Sequence, residues 1–189
     1  PDISWIFSTT MSEQELSSIP VHKPWKFGEP LKLVTVSRLS PAKNVEAVIK
    51  ALPLIRERYS PVTLNIVGDG PYLKELKTLT AGLNLESTVS FHGNVPHQDV
   101  LENLANSHIF VFPTRVPEGS PKVVIEALAC GLPVVSTAVS IVPYLVGNTN
   151  GIQLYETNHK AVADAVIQLI SDERKLTEMS HSAQKTGRE

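Results

Sequence analysis

The sequence predicts an α/β fold, in which a doubly wound parallel sheet of about six strands carries helices on both faces. Three observations lead to this prediction. Short apolar segments of the kind that form buried strands alternate with segments whose apolar residues recur at helical spacing. The links between the two kinds of segment are short, which favours parallel strands joined by crossover helices. Polar residues that could bind a ligand follow the strand ends, where ligands bind in sheets of this kind.

The elements are assigned in chain order from these patterns. Strands are predicted at residues 31–37, 62–68, 88–93, 108–113, 132–137 and 152–154. Helices are predicted at residues 44–59, 71–83, 98–106, 158–171 and 172–186, with a short helix between the fourth and fifth strands. Asn44 is expected to cap the first helix through its side chain. Pro53, inside that helix, predicts a kink or an early end.

Residues 1–30 show no clear periodicity and are predicted to form an arm or an interdomain linker. Its aromatic residues could cover an otherwise exposed face of the domain that follows: Trp5, Phe7, Trp25 and Phe27. The domain itself is predicted over residues 31–189. Because the chain begins abruptly at Pro1 and stops in a polar helical stretch, it is expected to be a fragment of a longer protein.

Composition excludes several classes of function. The net charge is −2 and the 17 Lys and Arg residues are spread along the chain, so no nucleic-acid partner is expected. The single cysteine, Cys130, rules out a disulfide framework and fits a reducing, cytoplasmic compartment. The six histidines show no paired spacing typical of metal ligands, so no metal is expected. No signal peptide is visible, and no apolar run approaches the roughly 20 residues of a membrane span.

The stretch from residue 110 to residue 135 predicts a buried strand, a loop, a short helix and a second buried strand. Ser120 can cap the helix, and Pro121 fits its first position, where a missing N–H costs nothing. A helix N-terminus has unpaired N–H groups and a positive dipole end, which together favour an anion such as phosphate. Gly119 allows a ligand to approach the backbone closely. An anion-binding site is therefore predicted at the start of this helix.

Two glutamates lie in this stretch, Glu118 on the loop and Glu126 on the helix. Lys122 and Glu126 are four residues apart and could simply form a solvated surface pair of small energetic value. Against this interpretation, Glu126 lies within the apolar run VVIEALAC, where a carboxylate costs desolvation energy unless a donor meets it. Both interpretations stay open from the residues alone.

Other candidate residues follow the first three strands. Arg38 and Lys43 follow the first strand and suit a phosphate, although they could equally be solvated loop charges. Residues 68–71, Gly-Asp-Gly-Pro, form a turn after the second strand. It carries neither a dinucleotide-binding fingerprint nor a phosphate-binding P-loop, which disfavours a Rossmann dehydrogenase. His92 and Val95 follow the third strand, and His92 could equally be a packed structural histidine.

Glu118 and Glu126, with seven residues between them and EALACGLPVV following, resemble the paired-glutamate motif of a known enzyme family. The motif belongs to the C-terminal, nucleotide-sugar-binding domain of retaining glycosyltransferases with the GT-B architecture, family 4, also called glycosyl transferases group 1. SRLSPAKN is similar to the family's Gly-Arg-Leu…Lys-Gly segment, with Ser37 and Asn44 where glycines are usual. VGDGP and HGNV resemble two further segments of that domain.

One loop departs from the family pattern. After PVVST the family commonly has an acidic residue, a glycine pair and Pro-Glu. This chain has other residues at those positions: Ala138, Ser140, Ile141, Pro143 and Tyr144. The resemblance therefore leaves the donor sugar open.

The resemblance implies a retaining, hexosyltransferase-like enzyme whose donor is a nucleotide diphospho-sugar, a UDP- or GDP-sugar, with no cofactor. It implies catalytic roles for Glu118, Arg38 and Lys43. It implies that the remaining site residues bind the donor: Glu126, Gly119, Ser120, Pro121, Lys122, His92 and Val95. Glu126 would bind the ribose hydroxyls, and the backbone after the third strand would contact the base.

The acceptor, a glycan or a lipid-linked molecule, would be bound by an N-terminal domain outside this sequence. The chain alone is therefore expected to bind nucleotide and to transfer little or no sugar. Peripheral membrane association of the full protein is left open. Two other functions fit the same fold: a nucleotide-sugar epimerase of GT-B shape, and a non-catalytic nucleotide-binding module of flavodoxin-like shape.

Overall fold

A computed structural model of the chain describes residues 12–19, 22–117 and 121–188. They form one six-stranded sheet in which all neighbouring strands are parallel. The strands are β1 (Leu31–Val36), β2 (Val62–Val67), β3 (Val89–Gly93), β4 (Ile109–Phe112), β5 (Val134–Thr137) and β6 (Gly151–Leu154). The predicted α/β fold is confirmed.

Eight α-helices occur in the described residues, and six of them were predicted. They are α1 (Glu13–Ser18), α2 (Val45–Arg58), α3 (Leu73–Gly82), α4 (His97–Ala105), α5 (Lys122–Ala129), α6 (Val142–Leu145), α7 (His159–Ile170) and α8 (Glu173–Arg188). A 3₁₀ turn over Pro41–Lys43 precedes α2. Helices α1 and α6 were not predicted because each is too short to show a helical period. Among all these helices, none combines the length and apolar composition needed to cross a membrane.

The order of the strands across the sheet is β3-β2-β1-β4-β5-β6. Chain order therefore reverses between β1 and β4, which pair in parallel with Leu33 opposite Ile109 and Val34 opposite Phe110. At such a switch point the connections after the two strands leave towards opposite faces, so a crevice opens at their carboxyl ends. This crevice is the place where the fold itself predicts a ligand.

Both faces of the sheet are buried, each under its own apolar cluster. Leu33 of β1 belongs to the cluster under α2 and α7, whereas its neighbour Val34 belongs to the cluster under α4 and α5. Successive side chains of a strand point to opposite faces, so a strand with apolar residues at every position is buried on both sides. The continuous apolar runs of the sequence thus follow from the helices on both faces.

Helix α2 continues through Pro53 to Arg58, so the predicted early end is wrong. A proline inside a helix costs about 3 kcal/mol. The buried face of α2 includes Val48, Ile49, Leu52 and Ile55. Burying each of these aliphatic side chains stabilises the protein by roughly 1.5–3 kcal/mol, so their burial outweighs the cost of the proline.

The arm before β1 packs on the domain through one of its aromatic residues. Trp25 is 1% exposed, and its indole N–H donates to the Glu29 carbonyl at 2.9 Å. Its ring meets the edge of Tyr59, with the ring centroids 4.9 Å apart. Phe27 contacts the same two rings but is 74% exposed, so it covers little of the domain. Trp5 and Phe7 lie outside the described residues.

Candidate functional site

A cavity of about 860 Å³ opens at the carboxyl ends of the strands, at the switch point of the sheet. Its walls come from the loops after β1, β2 and β3, from the end of β4 and from the start of α5. A cavity of this size is in the usual range for small-molecule and cofactor sites. The sheet thus gathers the predicted ligand-binding segments around one crevice.

Three cationic side chains line the cavity, and they come from two separate segments. Arg38 and Lys43 follow β1, and Lys122 is the first residue of α5. The Lys43 ammonium also lies 5.7 Å from the centroid of the Phe112 ring, a distance that allows a cation–π contact. Asp69 is the one acidic residue among the described residues that line the cavity. The balance of charge favours an anionic ligand, and Arg38 and Lys43 both lie on the cavity wall.

Ser37, also on the cavity wall, has a buried hydroxyl oxygen with no hydrogen-bond partner among the described residues. A buried hydroxyl without a partner costs free energy, so such groups usually mark a place where a ligand or water completes the bond. The position supports a polar ligand in this part of the cavity.

The turn after β2 is fixed by contact between loops. A Cβ atom on Gly68 would lie 2.0 Å from the Ser37 carbonyl oxygen, and one on Gly70 would lie 2.2 Å from that of Leu39. The Leu39 amide also donates to the Asp69 carbonyl oxygen at 2.9 Å. The glycines are therefore required because the loops after β1 and β2 pack against each other. They form the floor of the cavity.

Asn44 occupies the N-cap position of α2, but its side chain does not cap the helix, so that prediction is wrong. Its backbone is left-handed, with φ 58° and ψ 32°, a conformation that asparagine adopts more readily than most residues. The side-chain amide instead donates to the carbonyl oxygens of Pro113 at 3.0 Å and Thr157 at 2.7 Å. Asn44 thus ties the start of α2 to the loops after β4 and β6.

Arg115, which the sequence analysis missed, ties the loop after β4 to the same region. Its guanidinium donates to a Glu46 carboxylate oxygen at 2.8 Å and to the Pro41 carbonyl at 3.2 Å. Its backbone N–H donates to the Ala42 carbonyl at 2.8 Å. An arginine directly after a strand and an acid in the first turn of a helix were the available signals. The loop that leads to Glu118 is therefore anchored at its start.

Three predicted site residues, Glu118, Gly119 and Ser120, lie outside the described residues. The next residue, Pro121, occupies the N-cap position of α5, one place before the predicted first helical position. Lys122 then begins the helix at the cavity wall. The roles assigned to the three residues of the loop remain predictions.

Glu126 is 4% exposed and lies one turn along α5 from Lys122. Its Oε1 atom is 3.5 Å from the Lys122 ammonium and 2.8 Å from Nε2 of His97, at the start of α4. The pair with Lys122 exists, but the interpretation as a solvated surface pair is wrong because the carboxylate is buried. His97 was missed because its contact with Glu126 depends on the packing of α4 against α5.

The segment after β3 contributes a different residue from those predicted. Asn94 lines the cavity, whereas His92 and Val95 are not among its lining residues. His92 is exposed, with Nε2 3.0 Å from the side-chain oxygen of Asn65, so it is not a packed histidine. Val95 packs against the apolar cluster under α4 and α5. Roles in donor binding for His92 and Val95 remain predictions.

Cys130, next to the end of α5, is fully buried. Burial raises the pKa of its thiol to about 12, with the nearby Glu126 carboxylate acting in the same direction. The thiol therefore stays protonated and behaves as a small apolar group. Across residues 12–19, 22–117 and 121–188, no three His, Cys, Asp or Glu side chains come together as metal ligands.

Comparison with known proteins agrees with this geometry. The profile of the family described as Glycosyl transferases group 1 matches residues 21–188. The chain belongs to this family. The resemblance found in the sequence is thus confirmed. The match begins at residue 21, before residue 31, where the domain was predicted to begin.

Two relatives show the level of similarity within the family. A GDP-mannose-dependent alpha-(1-6)-phosphatidylinositol monomannoside mannosyltransferase of Mycobacterium tuberculosis is 33% identical over 159 residues, which cover 80% of this chain and 41% of the relative. A putative colanic acid biosynthesis glycosyltransferase, WcaL of Escherichia coli, is 32% identical over 82% of this chain and 39% of its own. The chain therefore spans about two fifths of the length of these relatives.

Solved structures share the fold. Anabaena HepE, in a complex with UDP and glucose, superimposes with a TM-score of 0.75 and 28% identity over 84% of this chain and 43% of its own. The C-terminal domain of a glycosyl transferase group 1 family protein, LpcC of Francisella tularensis, has a TM-score of 0.74 at 20% identity. The superposition covers 82% of this chain and 83% of the LpcC domain. Because the identity is low, this likeness supports the fold alone.

Proposed function

We propose that this chain is the donor-binding domain of a retaining, hexosyltransferase-like glycosyltransferase. In this proposal the donor is a nucleotide diphospho-sugar, and the sugar passes to a glycan or a lipid-linked acceptor. The observation that carries the proposal is the cationic cavity at the switch point of the sheet, with the buried carboxylate of Glu126 behind Lys122. A ligand that carries both an anionic group and hydroxyl groups would match the cationic cavity and the Glu126 carboxylate.

The cations would hold the diphosphate of the donor. Arg38 offers a planar fork that binds two phosphate oxygens, while Lys43 supplies a point charge beside Phe112. The backbone N–H groups of Gly119, Ser120 and Lys122 would complete the cradle, as N–H groups at helix N-termini do for anions. The names of the relatives support this ligand class, because one is GDP-mannose-dependent and another is solved with UDP.

The rest of the donor would extend from this diphosphate in two directions. The segment from His92 to Val95 would contact the base, and Glu126 would accept hydrogen bonds from the ribose hydroxyls. Glu118 would lie against the sugar, close to the anomeric carbon. These roles follow the family resemblance, and the positions of Asn94 on the cavity wall and Lys122 beside Glu126 support them.

In the mechanism we propose, the bond between the anomeric carbon and the diphosphate breaks while the acceptor oxygen bonds to that carbon on the same face, and the acceptor's hydroxyl proton passes to the leaving diphosphate. Negative charge then grows on the leaving diphosphate, and Arg38 and Lys43 are already in place to neutralise it. Positioned charges of this kind lower a barrier because no reorganisation is needed during the reaction. The Glu118 carboxylate would steady the positive charge on the sugar.

The acceptor would be bound by residues outside this sequence. This part of the proposal is supported by the coverage of the relatives, since this chain spans about two fifths of their length. The chain alone would then bind nucleotide and transfer little or no sugar. A cytoplasmic location, with peripheral association at a membrane when the acceptor is lipid-linked, would fit the phosphatidylinositol mannoside in one relative's name.

Titration calorimetry with UDP, GDP and ADP tests the donor site. We expect saturable binding of one nucleotide and at least a tenfold weaker affinity in Arg38→Ala, because a charge-assisted contact to phosphate is lost. Arg174→Ala is the matched control, since Arg174 is an exposed arginine paired with Glu178 and away from the cavity. Equal binding by both variants, or no binding by the native chain, would contradict the proposal; the latter is what a non-nucleotide module predicts.

A further inference from the structure

His97 lies between two carboxylates, and its contacts link three helices. Its Nε2 atom is 2.8 Å from Glu126 Oε1 on α5, and its Nδ1 atom is 3.2 Å from Glu15 Oε1 on α1. Lys122 also approaches Glu126 Oε1, at 3.5 Å. The imidazole is thus held between two carboxylates, and it reaches into the buried environment of one of them.

The two oxygens of the Glu126 carboxylate have different surroundings. The His97 ring and the Lys122 ammonium both approach Oε1. In the described part of the chain, Oε2 accepts no hydrogen bond. A buried carboxylate is costly unless donors meet it, and His97 and Lys122 supply those contacts at Oε1. They also fix the direction in which Oε2 points.

Glu126 is close to the cavity although it is nearly fully buried. Lys122, which lies within 3.5 Å of the carboxylate, is itself part of the cavity wall. Glu126 is not itself a lining residue, so it is a ligand in contact with the Lys122 ammonium that lies close to the carboxylate. An oxygen that accepts no hydrogen bond from the described residues is suited to accept one from a hydroxyl group of a ligand.

We infer that His97 is a positioning residue for ribose recognition: it holds Oε1 of Glu126 so that Oε2 accepts from the ribose hydroxyls of the donor nucleotide. This inference rests on the proposed function, since the ribose belongs to the donor. His97 itself contacts no part of the ligand. It acts through the carboxylate that it orients.

Glu15 holds the other side of the imidazole ring. The Ser12 backbone N–H and hydroxyl both donate to Glu15 Oε2, at 2.7 and 2.9 Å, which leaves Oε1 directed at His97. These two bonds lower the pKa of the Glu15 carboxyl, so it is ionised near neutral pH. Ionised carboxylates only accept hydrogen bonds, so a ring that faces two of them is held with Nε2–H directed at Glu126.

A pair of substitutions separates this role from a general contribution to stability. In His97→Gln the side-chain amide can replace Nε2, so the bond to Glu126 is kept. In His97→Asn the amide matches the position of Nδ1, so the contact with Glu15 is kept and the bond to Glu126 is lost. A merely structural role gives no reason for these two variants to differ in ribose recognition.

The measurement is the affinity for a nucleoside diphosphate, UDP or GDP as the chain prefers, compared with its 2′,3′-dideoxy form. We expect the native chain and His97→Gln to prefer the ribose form by about tenfold or more, the usual effect of hydrogen bonds to a charged acceptor. We expect His97→Asn to lose most of this preference. His159→Asn, at the exposed first residue of α7, is the matched control and keeps it.

Each outcome has a definite meaning. An unchanged ribose preference in His97→Asn overturns this inference and leaves the proposed function standing. A native chain that binds neither form overturns the proposed function, and the inference falls with it. If His97→Asn does not fold, His97→Leu, which has no group that can bond to Glu126, takes its place: loss of the ribose preference is expected, and an unchanged preference overturns the inference.

Discussion

Asn44 meets a backbone requirement and a side-chain requirement at the same position. Its left-handed conformation lets the chain turn from the 3₁₀ segment into α2, and its amide ties two loops together beside the cavity. Glycine, usual at this position in the family that the sequence resembles, would satisfy only the backbone. The asparagine adds two hydrogen bonds that glycine cannot make.

Substitutions at Asn44 separate the backbone requirement from the side-chain requirement. Asn44→Gly keeps the backbone conformation and loses both bonds, so we expect it to be about 1–3 kcal/mol less stable than the native chain. Asn44→Ala loses the same bonds and adds a left-handed strain of about 1–2 kcal/mol, which exceeds the roughly 0.4–1 kcal/mol that alanine gains through a less flexible unfolded chain. Urea unfolding should therefore rank native above Gly above Ala. An alanine variant as stable as the native chain would contradict the assignment.

Helices and strands differ in how far the sequence predicts them. Every strand was predicted because each contains a short run of apolar residues, and the inner strands β4 and β5 are buried at every position. The long helices α2 and α7 were predicted because their buried residues recur at helical spacing. The four-residue α6 was not, since a single turn has no period and lies in the loop that departs from the family pattern.

The candidate site was predictable only in part, for a physical reason. Arg38, Lys43 and Lys122 could be assigned because the residues after parallel strands, and at the following helix N-termini, meet at one edge of the sheet. The contact between His97 and Glu126 joins residues 29 positions apart and depends on how α4 packs against α5. Arg115 and Glu46 are similar, since their pairing depends on the path of two loops.

At the scale of the whole molecule, a half-buried histidine at the opposite end of the strands from the cavity makes stability depend on pH. His108 precedes β4, and its Nδ1 accepts a hydrogen bond from the Lys32 backbone N–H at 3.0 Å. Burial lowers the pKa of His108 from 6.5 to about 4, and the nearby His22 and Lys32 act in the same direction. The folded protein therefore requires a neutral ring at this position.

The sign of the effect follows from proton uptake. Between pH 6.5 and about 4 the unfolded chain binds a proton at His108 that the folded chain does not, so stability falls as the pH is lowered through this window. Above pH 6.5 both states are neutral there, and the group has no effect. Burial also lowers the pKa of His22, which acts in the same direction.

Urea unfolding midpoints at a series of pH values measure this effect. We expect His108→Asn, which keeps an acceptor for the Lys32 amide, to lose stability less steeply than the native chain between pH 6.5 and 4. Above pH 6.5 the difference in stability between the two chains should no longer depend on pH. If both chains lose stability equally steeply between pH 6.5 and 4, the assignment of a neutral, half-buried His108 is contradicted.

The central claim is that the cavity at the switch point of the sheet binds the nucleotide diphosphate of a sugar donor. The most direct test is amide chemical-shift mapping by NMR during titration of the chain with its preferred nucleoside diphosphate. We predict shifts concentrated at Arg38, Lys43, Asn94 and Lys122, with none around His108 at the opposite end of the strands. Saturable binding whose shifts cluster away from the cavity would contradict the claim.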